Sequence, residues 1–231
     1  MSVSKNFTVI IPVRAGSKGM ANKNITELDG KPLYMHAVDL AKMANAVRII
    51  ITTDVNEIIQ SSLDNGLEVV ARPEKLCSDA APMSPVLVHA IEKAKVSGVV
   101  VLLQPTSPLR SLEDLMACLD LFERYGSDMV LTLTDSDSSV LKWGELSLNG
   151  LFQPFADGKY VFSNRQSLPP VYKPNGAIYV FSAEWLLIHK KLGNAKTISG
   201  VKMPASRSHD IDTLEDFALC QELLISLKEK K

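Results

Sequence analysis

Three cations lie close together in a glycine-containing stretch near the start of the chain. Arg14, Lys18 and Lys23 fall within ten residues, and Gly16 and Gly19 lie between them. Glycine lets successive backbone N–H groups converge on an anion, arginine can grip two oxygens at once, and lysine adds a point charge. The stretch has neither the GxxxxGK[ST] pattern of a P-loop nor the GxGxxG pattern of a dinucleotide-binding turn. These residues favour a polyphosphate ligand, and the alternative is a basic surface turn.

A pair of acidic residues, Asp210 and Asp212, precedes the last predicted helix. In extended backbone, residues i and i+2 point the same way, about 6.6 Å apart at about 3.3 Å per residue. Carboxylates so placed can share Mg²⁺, which typically takes one or two carboxylates together with phosphate oxygens and water. The alternative is local, with Asp212 or Thr213 capping the helix. Beside the three cations, the pattern favours the metal.

Two further loops carry polar side chains directly after predicted strands. The stretch from Gln104 to Arg110 contains two prolines that stiffen it, and its amide and hydroxyl groups suit a hydroxyl-rich ligand. Arg72 opens another loop, from which a guanidinium could reach a base or a ribose. The alternatives are an ordinary strand–helix turn and an exposed arginine. The four histidines form no ligand set, although His209 adjoins the acidic pair.

The elements that position these loops alternate between strand and helix over about the first 135 residues, which predicts an α/β fold with a doubly wound, mostly parallel sheet. Ligands bind such sheets at the carboxyl ends of the strands, where these loops fall. The predicted strands are Phe7–Val13, Arg48–Thr52, Leu67–Ala71, Val99–Leu103, Asp128–Thr134, Gly176–Phe181 and Thr197–Met203. The predicted helices are Leu33–Met43, Val55–Leu63, Pro85–Lys95 with Ser84 as cap, Leu112–Tyr125, Ala183–His189 and Leu214–Leu227.

The alternation breaks between about residues 136 and 174, where prolines and aromatic residues replace the helical period. We interpret the whole of residues 1–231 as one domain from which this segment departs as an arm. The chain has 25 Lys and Arg against 26 Asp and Glu, which gives no overall electrostatic case for nucleic acid or an anionic membrane. Its three widely spaced cysteines indicate reduced thiols, and with no secretory signal or membrane span they predict a cytoplasmic protein.

Five stretches occur in a fixed order between Val9 and Phe217: IPVRAGSKGMANKN, ARPEKLCSD, LLQPTSPLR, KPNGAIYVF and HDIDT. In this order they resemble the acylneuraminate cytidylyltransferases, the CMP-sialic acid synthetases. The resemblance implies a nucleotidyltransferase-like fold, CTP, Mg²⁺, and transfer of CMP to the anomeric hydroxyl of a nine-carbon 2-keto sugar acid with release of pyrophosphate. N-acetylneuraminate is the first candidate. The alternatives are legionaminic, pseudaminic or 3-deoxy-octulosonic acid, or a non-catalytic nucleotide-binding domain.

The resemblance also implies roles for single residues on the nucleotide side. Arg14 and Lys23 would contact the CTP phosphates, and Arg72 would face the cytosine. Asp210 and Asp212 would bind the metal and, with Arg14 and Lys23, form the catalytic set. The residues expected to shape the phosphate loop are Ser17, Lys18 and Asn22, with Asn22 near the ribose. The stretch Ala80–Met83 departs from the family pattern, so further base contacts stay open.

On the sugar side, the resemblance implies a contact from Gln104. Lys142 and Arg165 match cations that a dimerisation arm carries into the active site of the partner subunit. The segment at about 136–174 would then be that arm. The resemblance therefore predicts a homodimer in which each arm completes the other chain's site.

Overall fold

The first strand, Phe7–Val13, is buried along its whole length in the middle of the central sheet. The computed structural model of the protein describes residues 6–16, 20, 22–61, 67–78 and 80–229. Its strands are β1 (Phe7–Val13), β2 (Glu27–Leu28), β3 (Lys31–Pro32), β4 (Arg48–Thr53), β5 (Glu68–Ala71), β6 (Val99–Leu103), β7 (Met129–Ser136), β8 (Gly144–Leu146), β9 (Phe152–Pro154), β10 (Val171–Ser182) and β11 (Ile198–Lys202). Its α-helices are α1 (Leu33–Met43), α2 (Asn56–Ser61), α3 (Met83–Ala94), α4 (Leu112–Tyr125), α5 (Ala183–His189) and α6 (Leu214–Glu229).

Seven strands form the central sheet in the order β11-β7-β10-β6-β1-β4-β5. Strand β1 pairs in parallel with β4 and β6, β4 with β5, and β7 with β11. Only β10 runs antiparallel to its neighbours, β6 and β7, within this sheet of the described chain. The predicted α/β fold with a doubly wound, mostly parallel sheet is therefore confirmed.

The hydrophobic core lies on both faces of this sheet. Val9 and Ile11 of β1 pack in one cluster with residues of α1 and α4, whereas Ile10 packs in a second cluster with residues of α3 and α5. Successive strand residues point to opposite faces, and here both faces are covered by helices. This burial explains why β1 and β6 are continuous apolar stretches rather than alternating ones.

Several element boundaries differ from the predicted ones, and those of α3 and β10 are the clearest cases. Helix α3 begins at Met83, and the Ser84 hydroxyl accepts a hydrogen bond from the Leu192 amide at 3.0 Å instead of capping the helix. Strand β10 begins at Val171 rather than Gly176, because its first residues pair with the end of β7 before an irregularity between Pro174 and Tyr179. A proline in a central strand is tolerated beside such an irregularity, where no ladder hydrogen bond is lost.

Residues 137–170, here called the excursion, leave the sheet between β7 and β10. They contain the small hairpin of β8 and β9 and three short 3₁₀ helices. Several large apolar side chains of this segment are exposed: Trp143, Leu146, Leu148, Leu151, Phe152, Phe155 and Phe162. No helix within the described residues has the length and apolar character needed to cross a membrane.

Candidate active site

A cleft opens where the chain leaves the carboxyl ends of β1 and β6. These two strands are neighbours, and the sheet continues to β4 on one side and to β10 on the other. Such a switch point leaves room for a ligand between the loops that follow the two strands. The cleft has a cavity of about 260 Å³, and six of the predicted site residues line it: Arg14, Lys23, Arg72, Gln104, Asp210 and Asp212.

The loop after β1 is fixed by two hydrogen bonds. The Asn24 side chain donates to the Arg14 carbonyl at 3.1 Å, and the Ala15 amide donates to Asp54 Oδ1 at 2.8 Å. Asp54 directly follows β4, so the neighbouring parallel strand holds the loop that carries Arg14. Sequence reasoning assigned no role to Asp54, although its place at a strand end was a usable signal.

Three predicted phosphate-loop residues have different outcomes. Ser17 and Lys18 lie outside the described residues, and their roles stay predictions. Asn22 is exposed, takes a left-handed backbone conformation (φ 54°), and does not line the cavity. Its carbonyl accepts from the Ile25 amide at 2.9 Å, so it turns the chain into the 3₁₀ helix Lys23–Ile25. The predicted ribose contact of Asn22 stays untested.

Lys23 is buried and reaches across the cleft to the acidic pair. Its Nζ donates to Asp212 Oδ1 at 3.0 Å and to the Ile211 carbonyl. The Lys23 side chain is 8% exposed, but the Asp212 side chain is 75% exposed. The Lys23 ammonium therefore lies where the sequence predicts a bound cation. Most of the Asp212 side chain remains accessible to a ligand.

The acidic pair is held by the residue between its members and by the helix that follows. Ile211 is fully buried, and its amide donates to the Thr106 carbonyl at 2.8 Å. The Asp216 amide donates to Thr213 Oγ1 at 3.2 Å, while Asp216 Oδ2 accepts from the Thr213 amide at 2.9 Å. This is a reciprocal helix cap. Thr213, and not Asp212, supplies it, so the Asp212 carboxylate remains available.

Asp210 faces the cleft, but protein atoms crowd it from its other sides. This desolvation raises the pKa of Asp210, and the neighbouring Asp212 raises it further. A hydrogen bond with Thr106 and the charge of Lys23 oppose the rise. A carboxylate whose ionisation is disfavoured by a neighbouring carboxylate is stabilised by a cation that both can bind.

Arg72 is buried, so the alternative of an exposed arginine is wrong. The residue is 9% exposed, and its Nη2 donates to the Thr52 carbonyl at 2.8 Å. Desolvation lowers the pKa of Arg72, and the charge of Asp54 partly opposes this. Its Nε is buried with no hydrogen-bond partner among the described residues. A guanidinium held in this way at the cavity wall can donate to acceptor atoms of a ligand.

A second cavity of about 530 Å³ adjoins the first and shares Asp210 with it. Asn175, Tyr179 and His209 line this second cavity. Gln104 lines the first cavity, and its Nε2 lies 3.6 Å from where a side chain at Gly176 would begin, so it forms part of the wall between the two. Sequence reasoning noted the stretch around Asn175 and Tyr179 but assigned these residues no role.

Arg110 joins the walls of the two cavities and was also missed. Its Nη1 donates to the Gln104 carbonyl at 2.6 Å and to the Ala177 carbonyl at 3.2 Å. Its Nε and Nη2 have no hydrogen-bond partner among the described residues, and burial lowers its pKa to about 9. The nearby charge of Asp210 opposes that fall. A buried cation thus lies directly behind the junction of the cavities.

Lys142 and Arg165 lie in the excursion, away from the cleft of their own chain. Neither lines either cavity, as far as the structure describes the chain. Arg165 is highly exposed, and its Nη2 pairs with Asp137 Oδ2 at 3.1 Å. If these two cations take part in catalysis, they would therefore do so at the cleft of another chain.

The fold and the switch-point cleft place the protein in the nucleotidyltransferase-like class of α/β proteins. The solved structure of CMP:2-keto-3-deoxy-manno-octonic acid synthetase complexed with CTP is similar, with a TM-score of 0.73 over 96% of this chain and 100% of that chain. The two are 15% identical in sequence, so this similarity concerns the fold. Residues 8–229 match the sequence profile of the Cytidylyltransferase family, and the chain belongs to that family.

Curated relatives are more similar in sequence. The N-acylneuraminate cytidylyltransferase of Streptococcus agalactiae serotype V is 32% identical over 213 residues, which cover 90% of this chain and 51% of the relative. The chain thus spans about half the length of that relative. The CMP-N,N'-diacetyllegionaminic acid synthase of Legionella pneumophila is 30% identical over 226 residues, which cover 93% of this chain and 94% of the relative.

Proposed function

We propose that the protein transfers CMP from CTP to the anomeric hydroxyl of a nine-carbon 2-keto sugar acid and releases pyrophosphate. The observation that carries the proposal is the cleft at the switch point. There, three cations and two carboxylates line one cavity, and a second polar cavity meets it at Asp210. Such an arrangement can hold a nucleoside triphosphate and a second substrate with the reacting atoms between them.

The first cavity suits the nucleotide. Arg14 and Lys23 supply positive charge for the phosphates, and the Arg72 guanidinium lines the same cavity and can donate to the cytosine. Arginine can bind phosphate oxygens through two hydrogen bonds, whereas lysine acts as a point charge. The second cavity, lined by Asn175 and Tyr179, suits a hydroxyl-rich acid, with Gln104 at its boundary.

The residues around the acidic pair fit Mg²⁺. The Lys23 ammonium occupies a position between the Asp212 carboxylate and the Ile211 carbonyl, as a bound cation would. No group of three or more His, Cys, Asp or Glu side chains within the described chain is placed to hold a metal. Asp210 and Asp212 would therefore hold the ion together with phosphate oxygens of the nucleotide. When bound, Mg²⁺ neutralises phosphate charge and favours ionisation of a nearby hydroxyl.

Catalysis by this site would depend on positioning and electrostatics. The anomeric oxygen attacks the α-phosphorus in line with the departing pyrophosphate, whose charge grows in the transition state. Arg14 and Lys23 would stabilise that charge. Asp210, at the junction of the cavities, lies where the attacking hydroxyl would approach. No side chain is assigned as a dedicated general base.

Two relatives support different sugar acids. The streptococcal N-acylneuraminate cytidylyltransferase favours N-acetylneuraminate, in line with the prediction from the sequence. The Legionella enzyme is named for N,N'-diacetyllegionaminic acid, and its alignment covers nearly the whole of both chains. We propose N-acetylneuraminate as the first candidate and the legionaminate as the alternative.

We further propose that the protein is a homodimer and that the excursion is its dimerisation arm. Exposed apolar patches are typical of surfaces that bind another protein. Phe162 is 91% exposed, and Trp143 is 60% exposed in the same segment. Lys142 and Arg165 would then reach the partner's second cavity and neutralise the sugar carboxylate. Cytoplasmic location stays a prediction from the sequence.

The experiment is pyrophosphate release from CTP and Mg²⁺ with one sugar acid at a time. The panel is N-acetylneuraminic, legionaminic, pseudaminic and 3-deoxy-octulosonic acid, and the Asp212→Asn variant is the negative control. Release that needs one sugar supports the proposal and names the substrate. CTP binding without release on any sugar would instead favour a non-catalytic nucleotide-binding domain.

A further inference from the structure

We propose that Arg207 is a positioning residue, which holds the acidic loop in place through its ion pair with Asp114. The acidic loop is defined here as residues 208–212, which carry Asp210 and Asp212. The inference deepens the proposed function, on which it rests, by naming the group that sets the geometry of the metal-binding aspartates. Arg207 itself touches neither cavity among the described residues.

The ion pair is bidentate and partly buried. Arg207 Nε donates to Asp114 Oδ2 at 3.0 Å, and Arg207 Nη2 donates to Asp114 Oδ1 at 2.7 Å. The Asp114 side chain is 6% exposed, and that of Arg207 is 29% exposed. Two parallel hydrogen bonds fix the orientation of the guanidinium as well as its distance.

The carboxylate of this pair is itself immobilised. Asp114 Oδ2 accepts from the Ser111 amide at 2.9 Å, while the Asp114 amide donates to Ser111 Oγ at 3.3 Å. This reciprocal cap fixes Asp114 on the first turn of α4. Helix α4 directly follows the Gln104 loop, so Arg207 is anchored to the same rigid unit that forms one wall of the cleft.

The position of Arg207 in the chain explains what the anchor does. Arg207 ends the 3₁₀ helix Ala205–Arg207, three residues before Asp210. Beyond Asp210, the loop is held at Ile211 by the Thr106 carbonyl. On the upstream side, the attachments within the described residues include the Arg207 pair and a hydrogen bond of 3.0 Å from Asn175 Nδ2 to Ser208 Oγ. The Arg207 pair is the ionic contact among them. Loss of Arg207 would therefore loosen the residues that lead to Asp210.

A matched ion pair elsewhere separates positioning from simple stabilisation. Arg48 and Glu68 also form a bidentate pair, with two contacts of 2.6 Å, between the neighbouring strands β4 and β5. Neither Arg48 nor Glu68 lines either of the two cavities of the cleft, as far as the structure describes the chain. If Arg207 only stabilised the fold, removal of Arg207 and removal of Arg48 should have the same consequence.

The test compares Arg207→Met and Arg207→Lys with Arg48→Met. Binding of Mn²⁺ with CTP and without sugar is measured from the electron paramagnetic resonance signal of free Mn²⁺, beside thermal unfolding. We expect Arg207→Met to weaken Mn²⁺ binding about tenfold, the scale for residues that orient metal ligands. Arg207→Lys should lose less, and Arg48→Met should lower the unfolding temperature with unchanged Mn²⁺ affinity.

Coupling to Asp114 is measured with Asp114→Asn and the double variant. If the pair is the anchor, the double variant binds Mn²⁺ no more weakly than Arg207→Met alone. Normal Mn²⁺ affinity in Arg207→Met, or equal weakening in Arg48→Met, would overturn the inference while leaving the proposed function standing. If Arg207→Met does not fold, Arg207→Lys decides in the same way. A wild-type protein without CTP-dependent Mn²⁺ binding would overturn both.

Discussion

The exposure of charged and apolar side chains differs in opposite ways between the cleft and the excursion. In and behind the cleft, three cations are buried: Lys23 is 6% exposed, Arg72 9% and Arg110 6%. In the excursion, Arg165 is exposed, and so are large apolar side chains such as Phe162. Each region thus departs from the usual distribution, in which charge faces water and apolar surface is buried.

The difference shows which region finds partners for its side chains within one chain. A buried cation is costly unless polar groups surround it. Around these cations, carbonyls of the sheet strands and the Asp212 carboxylate supply such groups. The apolar side chains of the excursion have no comparable cover within the described residues. These buried cations therefore find polar partners within their own chain, whereas the apolar side chains of the excursion would be covered in the proposed dimer.

The largest expected effect is the loss of turnover when a charged residue of the cleft is replaced. Asp212→Asn or Arg14→Ala should lower turnover by about 10² or more, because each removes charge that stabilises the transition state. Asp39→Asn is the matched control, since Asp39 pairs with Lys31 outside the cleft, as Asp212 pairs with Lys23 within it. Turnover is measured by pyrophosphate release, and folding by circular dichroism. Near-normal turnover of folded Asp212→Asn would contradict its place in the metal site.

The second prediction tests whether the excursion serves another chain. Arg165→Ala should lower activity about tenfold, through loss of a charged contact to the sugar acid. Mixing it with Asp212→Asn should restore activity to about one quarter of the wild type. In an equal mixture, about half of the dimers contain one chain of each kind, and one of the two sites in each such dimer is intact. Unmixed variants in the same assay are the controls. A mixture no more active than its components would argue against completion by a partner.

A smaller effect concerns the cation already present in the cleft. Because Lys23 occupies the position between Asp212 and the Ile211 carbonyl, it competes with a metal ion. Lys23→Met should therefore bind Mn²⁺ more tightly without nucleotide, by about threefold, the scale of an ion pair whose carboxylate is exposed to solvent. Its turnover should nevertheless fall. Lys31→Met, which breaks the Lys31–Asp39 pair, should leave Mn²⁺ binding unchanged. Weaker Mn²⁺ binding in Lys23→Met would contradict this competition.

Local patterns predicted the elements well, and contacts between distant residues explain what they missed. Phe7–Val13, Leu33–Met43 and Leu112–Tyr125 have the predicted bounds, because apolar spacing marks such elements locally. The residues that hold the cleft together are not marked in this way. Asp54 acts on Ala15 across 39 positions, and Arg207 acts on Asp114 across 93. Only the folded sheet brings these partners together.

The last prediction concerns stability rather than activity and compares a buried with an exposed aspartate as the pH falls. Burial alone would raise the pKa of Asp114, but hydrogen bonds from Arg207 and Ser111 lower it overall. The pKa of exposed Asp137 is lowered chiefly by the Ser139 amide and also by Arg165. A carboxylate with a lowered pKa stabilises the fold above its unfolded pKa of about 3.9, and this contribution is lost as the pH falls through the folded value.

Urea unfolding from pH 7 to pH 3 distinguishes the two aspartates. Asp114→Asn should be less stable than the wild type at pH 7 by about 3 kcal/mol, since it breaks a buried pair. The difference should shrink below about pH 4, where the wild type loses the same interaction. Asp137→Asn should follow the wild type closely at every pH, because solvent screens its pair. If both variants gave parallel curves of stability against pH, the Asp114 pair would contribute no more than a surface contact. The contrast between buried and exposed charges would then not extend to stability.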